Sequence, residues 1–122
     1  MSTPAQNTPV LYGIPNCDTV KRARAWLTER GVDHRFHDFK KAGVPDDRLA
    51  AWMKSAGWER LLNRKGTMWR KLDDAARDAV VDADSAAALM RVQASVIKRP
   101  VVDWPDGSTT VGFDEASFAS RC

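Results

Sequence analysis

The residue with the clearest chemical potential in this 122-residue chain is Cys17, which lies in the segment LYGIPNCDTVKRARAWL, residues 11 to 27. The run before Cys17 is typical of a strand and the run after it is typical of a helix. A thiolate at a helix start is stabilised by exposed N–H groups and by the positive end of the helix dipole. We therefore predict a reactive cysteine with a pKa below that of a free cysteine.

The neighbours of Cys17 favour a reactive residue over a purely structural one. Asn16 and Asp18 are turn and cap formers, so this segment is expected near the surface, whereas a structural free cysteine is usually buried. Lys21 and Arg24 follow at helical spacing and are expected to lower the pKa of the thiol further.

The chain offers no nearby second thiol for an internal disulfide. The position three residues after Cys17 holds Val20, so a Cys-x-x-Cys pair is absent from the sequence. The other cysteine, Cys122, ends the chain and is expected to be frayed and incidental. We expect an external thiol to resolve any intermediate on Cys17, with glutathione as the co-substrate and no cofactor bound.

The basic segment LLNRKGTMWRKL, residues 61 to 72, leaves three interpretations open. Trp69 and its basic neighbours could stack on and neutralise single-stranded nucleic acid. More commonly, such a tryptophan packs in the core and the charges are solvated. Alternatively, Arg64 reaches an anion held beside Cys17.

The segment IKRP, residues 97 to 100, places Arg99 immediately before Pro100, which starts a predicted strand. A cis peptide bond fits this position. In the fold that the order of elements predicts, given below, this loop faces the nucleophile, so Arg99 is expected close to Cys17.

The two histidines do not form a convincing metal site. His34 and His37 fall in one predicted strand, three positions apart, so their side chains point to opposite faces. No metal is expected.

The composition excludes several classes of protein. With 43% apolar and 29% charged residues the chain resembles ordinary globular proteins, and a net charge of +3 is too balanced to indicate nucleic acid. No apolar run reaches the roughly 20 residues that cross a membrane, and the first residues lack the features of a signal peptide. A cytoplasmic location is the expectation.

The order of predicted elements is β-α-β, a helical block at about residues 45–92, and then β-β-α. The elements outside the block are strands at 10–14 and 32–39, a helix at 18–30, a hairpin at 101–113 and a last helix at 114–122. This order predicts an α/β fold: a thioredoxin-like mixed four-stranded sheet flanked by helices, with an inserted helical subdomain. Residues 1–9 are predicted to be a disordered leader, and residues 10–122 to be one domain.

Four separated motifs resemble the arsenate reductase-like (ArsC/Spx-like) family of thioredoxin folds, and within it the YffB-type branch. They are LYGIPNCDTVKRARAWL, HDFKKAG, GWERLLNRKGTMWRKL, and IKRPVV with VGF. In arsenate reductases of this family one cysteine attacks arsenate, three arginines surround the oxyanion, and glutathione with glutaredoxin completes turnover.

The resemblance implies a role for several residues of this chain. Cys17 matches the nucleophile, and Arg64 and Arg99 match two of the arginines. The third arginine falls where this chain has Gly112 and Phe113, which argues against arsenate turnover. The residues expected to bind glutathione or an oxyanion are Arg64, Arg99, Asn16, Asp18, Thr19, Lys21 and Pro100.

The function expected first is that of a glutathione-dependent thiol reductase acting on a disulfide or a small oxyanion, with glutathione and glutaredoxin as partners. The alternative is a non-catalytic Spx-like regulator that contacts RNA polymerase or another protein. Regulators of that type use a Cys-x-x-Cys switch, which Val20 removes here. Arsenate reduction proper comes third.

Overall fold

The structure, a computed structural model, describes residues 8–121. The first seven positions of the predicted leader and the terminal cysteine therefore lie outside the described residues. The last leader position is part of the fold, because Pro9 is buried and its carbonyl accepts a hydrogen bond of 2.9 Å from the N–H of Arg35.

The helices and strands follow one another in an order close to the predicted one. They are β1 (Val10–Gly13), α1 (Asp18–Glu29), β2 (Arg35–Asp38), α2 (Phe39–Ala42), α3 (Asp46–Ala56), α4 (Trp58–Leu61), α5 (Thr67–Lys71), α6 (Asp74–Asp78), α7 (Ala83–Val92), β3 (Val101–Asp103), β4 (Thr109–Val111) and α8 (Glu115–Ala119).

These elements form two units: the first combines the chain before residue 43 with the chain after residue 98, and the second is residues 43–98. The first unit contains the sheet, in the strand order β2-β1-β3-β4. Strands β1 and β2 are parallel, whereas β1 with β3 and β3 with β4 are antiparallel. The predicted thioredoxin-like mixed sheet of four strands is confirmed.

Helix α1 has the apolar face that its sequence predicted. Its buried residues are Val20, Ala23, Trp26 and Leu27, at the spacing that brings side chains to one side of a helix. The helix ends at Glu29, and Gly31 follows its C-cap residue with a φ of +70° that suits glycine and an N–H that donates to the carbonyl of Thr28. Turn chemistry and periodicity together therefore fix the length of α1.

The core of the first unit lies where α1 and α8 cover one face of the sheet. Leu11 of β1 and Val102 of β3 are fully buried and belong to one cluster with the apolar face of α1. Phe118 of α8 completes the cluster with Trp104 from the hairpin. This packing holds the start of α1, and therefore Cys17, against the end of β1.

Strand β2 is shorter than predicted. The sequence predicted residues 32–39, but the strand runs only from Arg35 to Asp38. The carboxylate of Asp38 accepts a hydrogen bond of 2.8 Å from the N–H of Lys40, which turns the chain into α2.

The second unit is helical, as predicted for residues 45–92, but it extends to residue 98. The N–H of Asn63 donates to the carbonyl of Val96, and the N–H of Lys98 donates to the carbonyl of Leu61, each over 2.8 Å. These bonds attach the segment after α7 to the loop after α4.

Two helices of the second unit begin at aspartate caps. Asp73 accepts a hydrogen bond from the N–H of Ala76, and Asp82 forms a capping box with Ser85. Across residues 8–121, none of the helices is long and apolar enough to cross a membrane.

Candidate functional site

Cys17 is the N-cap residue of α1. Its backbone is extended, with φ −119° and ψ 123°, and its carbonyl accepts the first helical hydrogen bond from the N–H of Lys21 over 2.9 Å. The side chain is partly exposed. The thiol therefore sits at the end of α1 where backbone N–H groups are available to an anion.

Several groups around Cys17 act on its pKa in opposite directions. Burial of the sulfur raises the pKa, because a partly dehydrated thiolate is less stable. The N–H of Val20 lowers it, as do the hydrogen bond and charge of Arg99 and the N–H of Thr19. Together these groups outweigh burial, so the pKa of the Cys17 thiol lies below its ordinary value, as predicted.

Arg99 is held beside the thiol by the loop that precedes β3. The Arg99–Pro100 peptide bond is cis, Pro100 is buried, and the carbonyl of Pro100 accepts a hydrogen bond of 2.8 Å from the N–H of Gly112. Arg99 itself is half-buried, and its guanidinium interacts with Cys17. The predicted proximity of Arg99 to Cys17 is confirmed.

The other residues predicted around Cys17 lie at the surface of the same turn. Asn16, Asp18 and Lys21 are exposed, and Thr19 is half-buried. Arg24 was expected to lower the pKa of the thiol, but its guanidinium lies over the ring of Phe36, 4.4 Å from the ring centre. The groups with the largest lowering effect are instead Arg99 and the first-turn N–H groups.

Arg64 belongs to the second unit and is exposed. Its guanidinium lies 3.8 Å from the carboxylate of Glu59 and 5.5 Å from the ring centre of Trp58. It lines a depression of about 280 Å³, whose other cationic residues are Arg60, Lys65 and Lys98. The role of Arg64 toward an anion at Cys17 stays a prediction.

The basic segment of residues 61 to 72 contains a short helix. Residues Thr67–Lys71 form the short helix α5, and Trp69 is half-buried there. Five residues are too few for helical periodicity to be seen in a sequence. Within the described chain, no three His, Cys, Asp or Glu side chains are close enough to hold a metal ion.

A feature that the sequence did not reveal is the close contact between Gly13 and Val20. A Cβ atom on Gly13 would lie 2.8 Å from Cγ2 of Val20, which is closer than real side chains approach. Val20 is fully buried, and its N–H stabilises the thiolate of Cys17. The glycine at the end of β1 was the available signal, because a strand glycine often marks a close approach.

We predict that Gly13→Ala destabilises the domain and raises the pKa of Cys17. The added methyl must push away Val20, whose β-branched side chain is stiff, and the first turn of α1 moves with it. Overpacking of this kind costs about 1–3 kcal/mol of unfolding free energy. Urea unfolding and the pH dependence of Cys17 alkylation measure the two effects.

Two variants control this experiment. Gly13→Ala combined with Val20→Ala removes the clash and should bring the pKa back toward the value in Val20→Ala alone. Gly31→Ala strains the other end of α1, where φ is +70°, and should lower stability without moving the pKa. An unchanged pKa in Gly13→Ala would show that the contact does not position the first turn.

The comparisons with known proteins show the family of this chain. A sequence profile described as the ArsC family matches residues 12–120. The chain belongs to the ArsC family. The resemblance of its motifs to arsenate reductase-like proteins is thereby confirmed.

Solved structures share the whole fold of this family member. The YFFB protein superposes with a TM-score of 0.87 at 46% identity, over 93% of this chain and 98% of that one. The solution structure of an arsenate reductase (ArsC) related protein from Brucella melitensis gives a TM-score of 0.73 at 46% identity, over 97% of each chain. The likeness to YFFB agrees with the branch that the motifs resemble.

A curated relative points to a different role. The global transcriptional regulator Spx of Streptococcus pyogenes serotype M3 is 24% identical over 116 residues, which cover 91% of this chain and 84% of the regulator. The chain is therefore similar both to a protein described as arsenate reductase related and to a protein described as a transcriptional regulator.

Proposed function

We propose that this protein is a thiol oxidoreductase in which Cys17 is the nucleophile and glutathione is the external reductant. The observation that carries the proposal is the environment of the sulfur, where first-turn N–H groups and Arg99 favour the thiolate at a partly exposed position. A low pKa and access to solvent are what distinguish reactive from structural cysteines.

The proposed reaction is a sequence of three thiol–disulfide exchanges that involve the Cys17 sulfur. The Cys17 thiolate attacks a substrate disulfide, forms a mixed disulfide with one half and releases the other half as a thiolate. A first glutathione thiolate releases the second half and leaves glutathione on Cys17. A second glutathione attacks that bond, so the net change is one disulfide reduced and two glutathione molecules oxidised to one glutathione disulfide.

The external thiol follows from the residue at position 20. Val20 is fully buried and carries no sulfur, so it cannot resolve a disulfide on Cys17. Arg99 is proposed to hold the anionic group of the substrate or of glutathione, and Arg64 is proposed to supply a second cation, as the family resemblance implies. A reducing compartment such as the cytoplasm would supply the glutathione.

Intact-protein mass spectrometry tests the proposal. The protein is incubated with glutathione disulfide, with arsenate, and with neither, and the modified residue is located by peptide mapping. We expect a glutathione adduct on Cys17 with the first reagent. If Cys17 stays unmodified while a free thiol peptide reacts under the same conditions, the proposal is wrong.

Arsenate reduction is a weaker candidate because of the end of β4. The place of the family's third arginine holds Gly112 and Phe113. The ring of Phe113 packs edge to face against Phe118, with 4.9 Å between ring centres, so it belongs to an apolar cluster. We propose that this protein turns over arsenate poorly, because only Arg64 and Arg99 match the three arginines that surround the oxyanion in arsenate reductases of the family.

The second candidate function is that of a regulatory module, and the likeness to the regulator Spx favours it. Such a module would bind RNA polymerase or another protein without catalysis. Co-purification with RNA polymerase, together with no adduct on Cys17, would place this candidate first.

A further inference from the structure

The exposed side of α1 carries a groove of about 400 Å³, one end of which is lined by Pro15, two residues before Cys17. Its lining residues are Pro15, Val20, Lys21, Arg24, Ala25, Thr28 and Glu29. The end nearest the thiol therefore combines apolar groups with two cations.

We propose that this end of the groove binds a carboxylate of the glutathione that is joined to Cys17 as a mixed disulfide, with Lys21 and Arg24 as its ligands. The inference rests on the proposed function. It adds a location and a charge-based preference: disulfides that carry carboxylates should react faster than neutral ones.

The lengths of the helix and of the ligand agree with this placement. At a rise of about 1.5 Å per residue, Lys21 lies about 6 Å and Arg24 about 10 Å along the axis from Cys17. Helical side chains lean toward the N-terminus, which brings both cations closer to the thiol. An extended tripeptide spans roughly 10 Å, so one glutathione reaches both residues.

By the same estimate, a glutathione joined to Cys17 does not reach the far end of the groove. Thr28 and Glu29 lie about 17 Å or more along the axis from Cys17, which is beyond the reach of one tripeptide. The carboxylate of Glu29 therefore does not oppose the bound anion. Asp18 is nearer and exposed, but it does not line the groove.

The two cations are suited to hold one anion between them. Residues three apart on a helix are neighbours, so Lys21 and Arg24 can approach the same carboxylate. Arg24 already lies over the ring of Phe36 at 4.4 Å, and a side chain held in place loses less entropy when it binds. Pro15 and Ala25 provide apolar surface for the carbon chain of the ligand.

The test compares two reagents on the full-length protein by mass spectrometry. The rates of adduct formation on Cys17 are measured with glutathione disulfide, which carries carboxylates, and with hydroxyethyl disulfide, which is neutral. The measured quantity is the rate with glutathione disulfide divided by the rate with hydroxyethyl disulfide. This ratio should be about tenfold lower in Lys21→Ala/Arg24→Ala than in wild type. Using the ratio of the two rates cancels any change in the pKa of the thiol.

The control is Arg22→Ala/Arg30→Ala, in which Arg22 lies on α1 and Arg30 is the C-cap residue of that helix. It removes the same charge, and like the test variant it removes one arginine that lies over an aromatic ring, since Arg30 lies 4.3 Å from the ring centre of Trp26. Neither of its residues lines the groove. Its ratio of rates should equal that of wild type.

Two results would overturn the inference. One is an unchanged ratio of rates in Lys21→Ala/Arg24→Ala, and the other is an equal fall in the control variant, which would indicate a general charge effect. Failure of the proposed function looks different, because wild-type Cys17 would then react with neither disulfide.

Discussion

Cys17→Ser is expected to abolish the mixed disulfide with glutathione without unfolding the protein. A serine hydroxyl cannot form a disulfide, so the loss should be complete. Serine is among the preferred N-cap residues, and Cys17 occupies the N-cap of α1, so the helix should start as before. Intact mass after incubation with glutathione disulfide measures the adduct, and circular dichroism checks the fold.

The matched control for this prediction is Cys122→Ser. The proposed chemistry does not use Cys122, so this variant should form the adduct at the wild-type rate. A full adduct in Cys17→Ser, or loss of the adduct in Cys122→Ser, would show that our account assigns the reactivity to the wrong cysteine.

Phe118→Ala is expected to cause the largest loss of stability. Phe118 is fully buried, and its ring meets Trp104 at 5.0 Å and Trp26 at 5.8 Å between ring centres, both edge to face. Removing such a ring from a core costs about 3–5 kcal/mol. That is a large part of the roughly 5–15 kcal/mol that stabilises a typical domain. Urea unfolding followed by tryptophan fluorescence measures the change.

Phe113→Ala provides the comparison from the same aromatic cluster. Phe113 is only half-buried, so it has less apolar surface to lose and its truncation should cost clearly less. Equal losses from the two variants would mean that α8 is not held by the burial of Phe118.

The sequence was sufficient for the parts of the fold that local chemistry determines. The apolar face of α1 follows from its periodicity, and the helix stops shortly before Gly31 because glycine readily takes the left-handed backbone angles found there. Asp114 likewise starts α8, accepting a hydrogen bond from the N–H of Ser117. These features depend on residues a few positions apart, so they can be read from the sequence.

Other features could not be read in this way because they depend on contacts or on very short elements. Strand β2 starts three residues later than predicted, and the N–H of Val32 instead donates to the carbonyl of Leu27 at the end of α1. The strand ends one residue early, at Asp38, whose side chain accepts a hydrogen bond from the next turn. Helix α5 has five residues and no full period. Arg24 lies at helical spacing from Cys17, but its guanidinium packs over the ring of Phe36 from β2.

In the candidate site, too, some features could be predicted from the sequence and others could not. Cys17 at a helix start and Arg99 before Pro100 could both be predicted, since the first is a local pattern and the second follows from the fold. From the sequence, Val20 was interpreted as a residue of the apolar face of α1 and as the absence of a second cysteine. The structure gives it a role of its own, because its N–H favours the thiolate and its side chain fits against Gly13.

The pH dependence of Cys17 alkylation by iodoacetamide, measured in a Cys122→Ser background, tests the central claim most directly. Because the folded protein lowers the pKa of the thiol, the rate should stay high at pH values where a free cysteine is protonated and slow to react. Arg99→Ala should move the midpoint upward, and Arg99→Lys should move it less because the charge is kept. A wild-type midpoint equal to that of free cysteine, or one that Arg99→Ala leaves in place, would contradict the account.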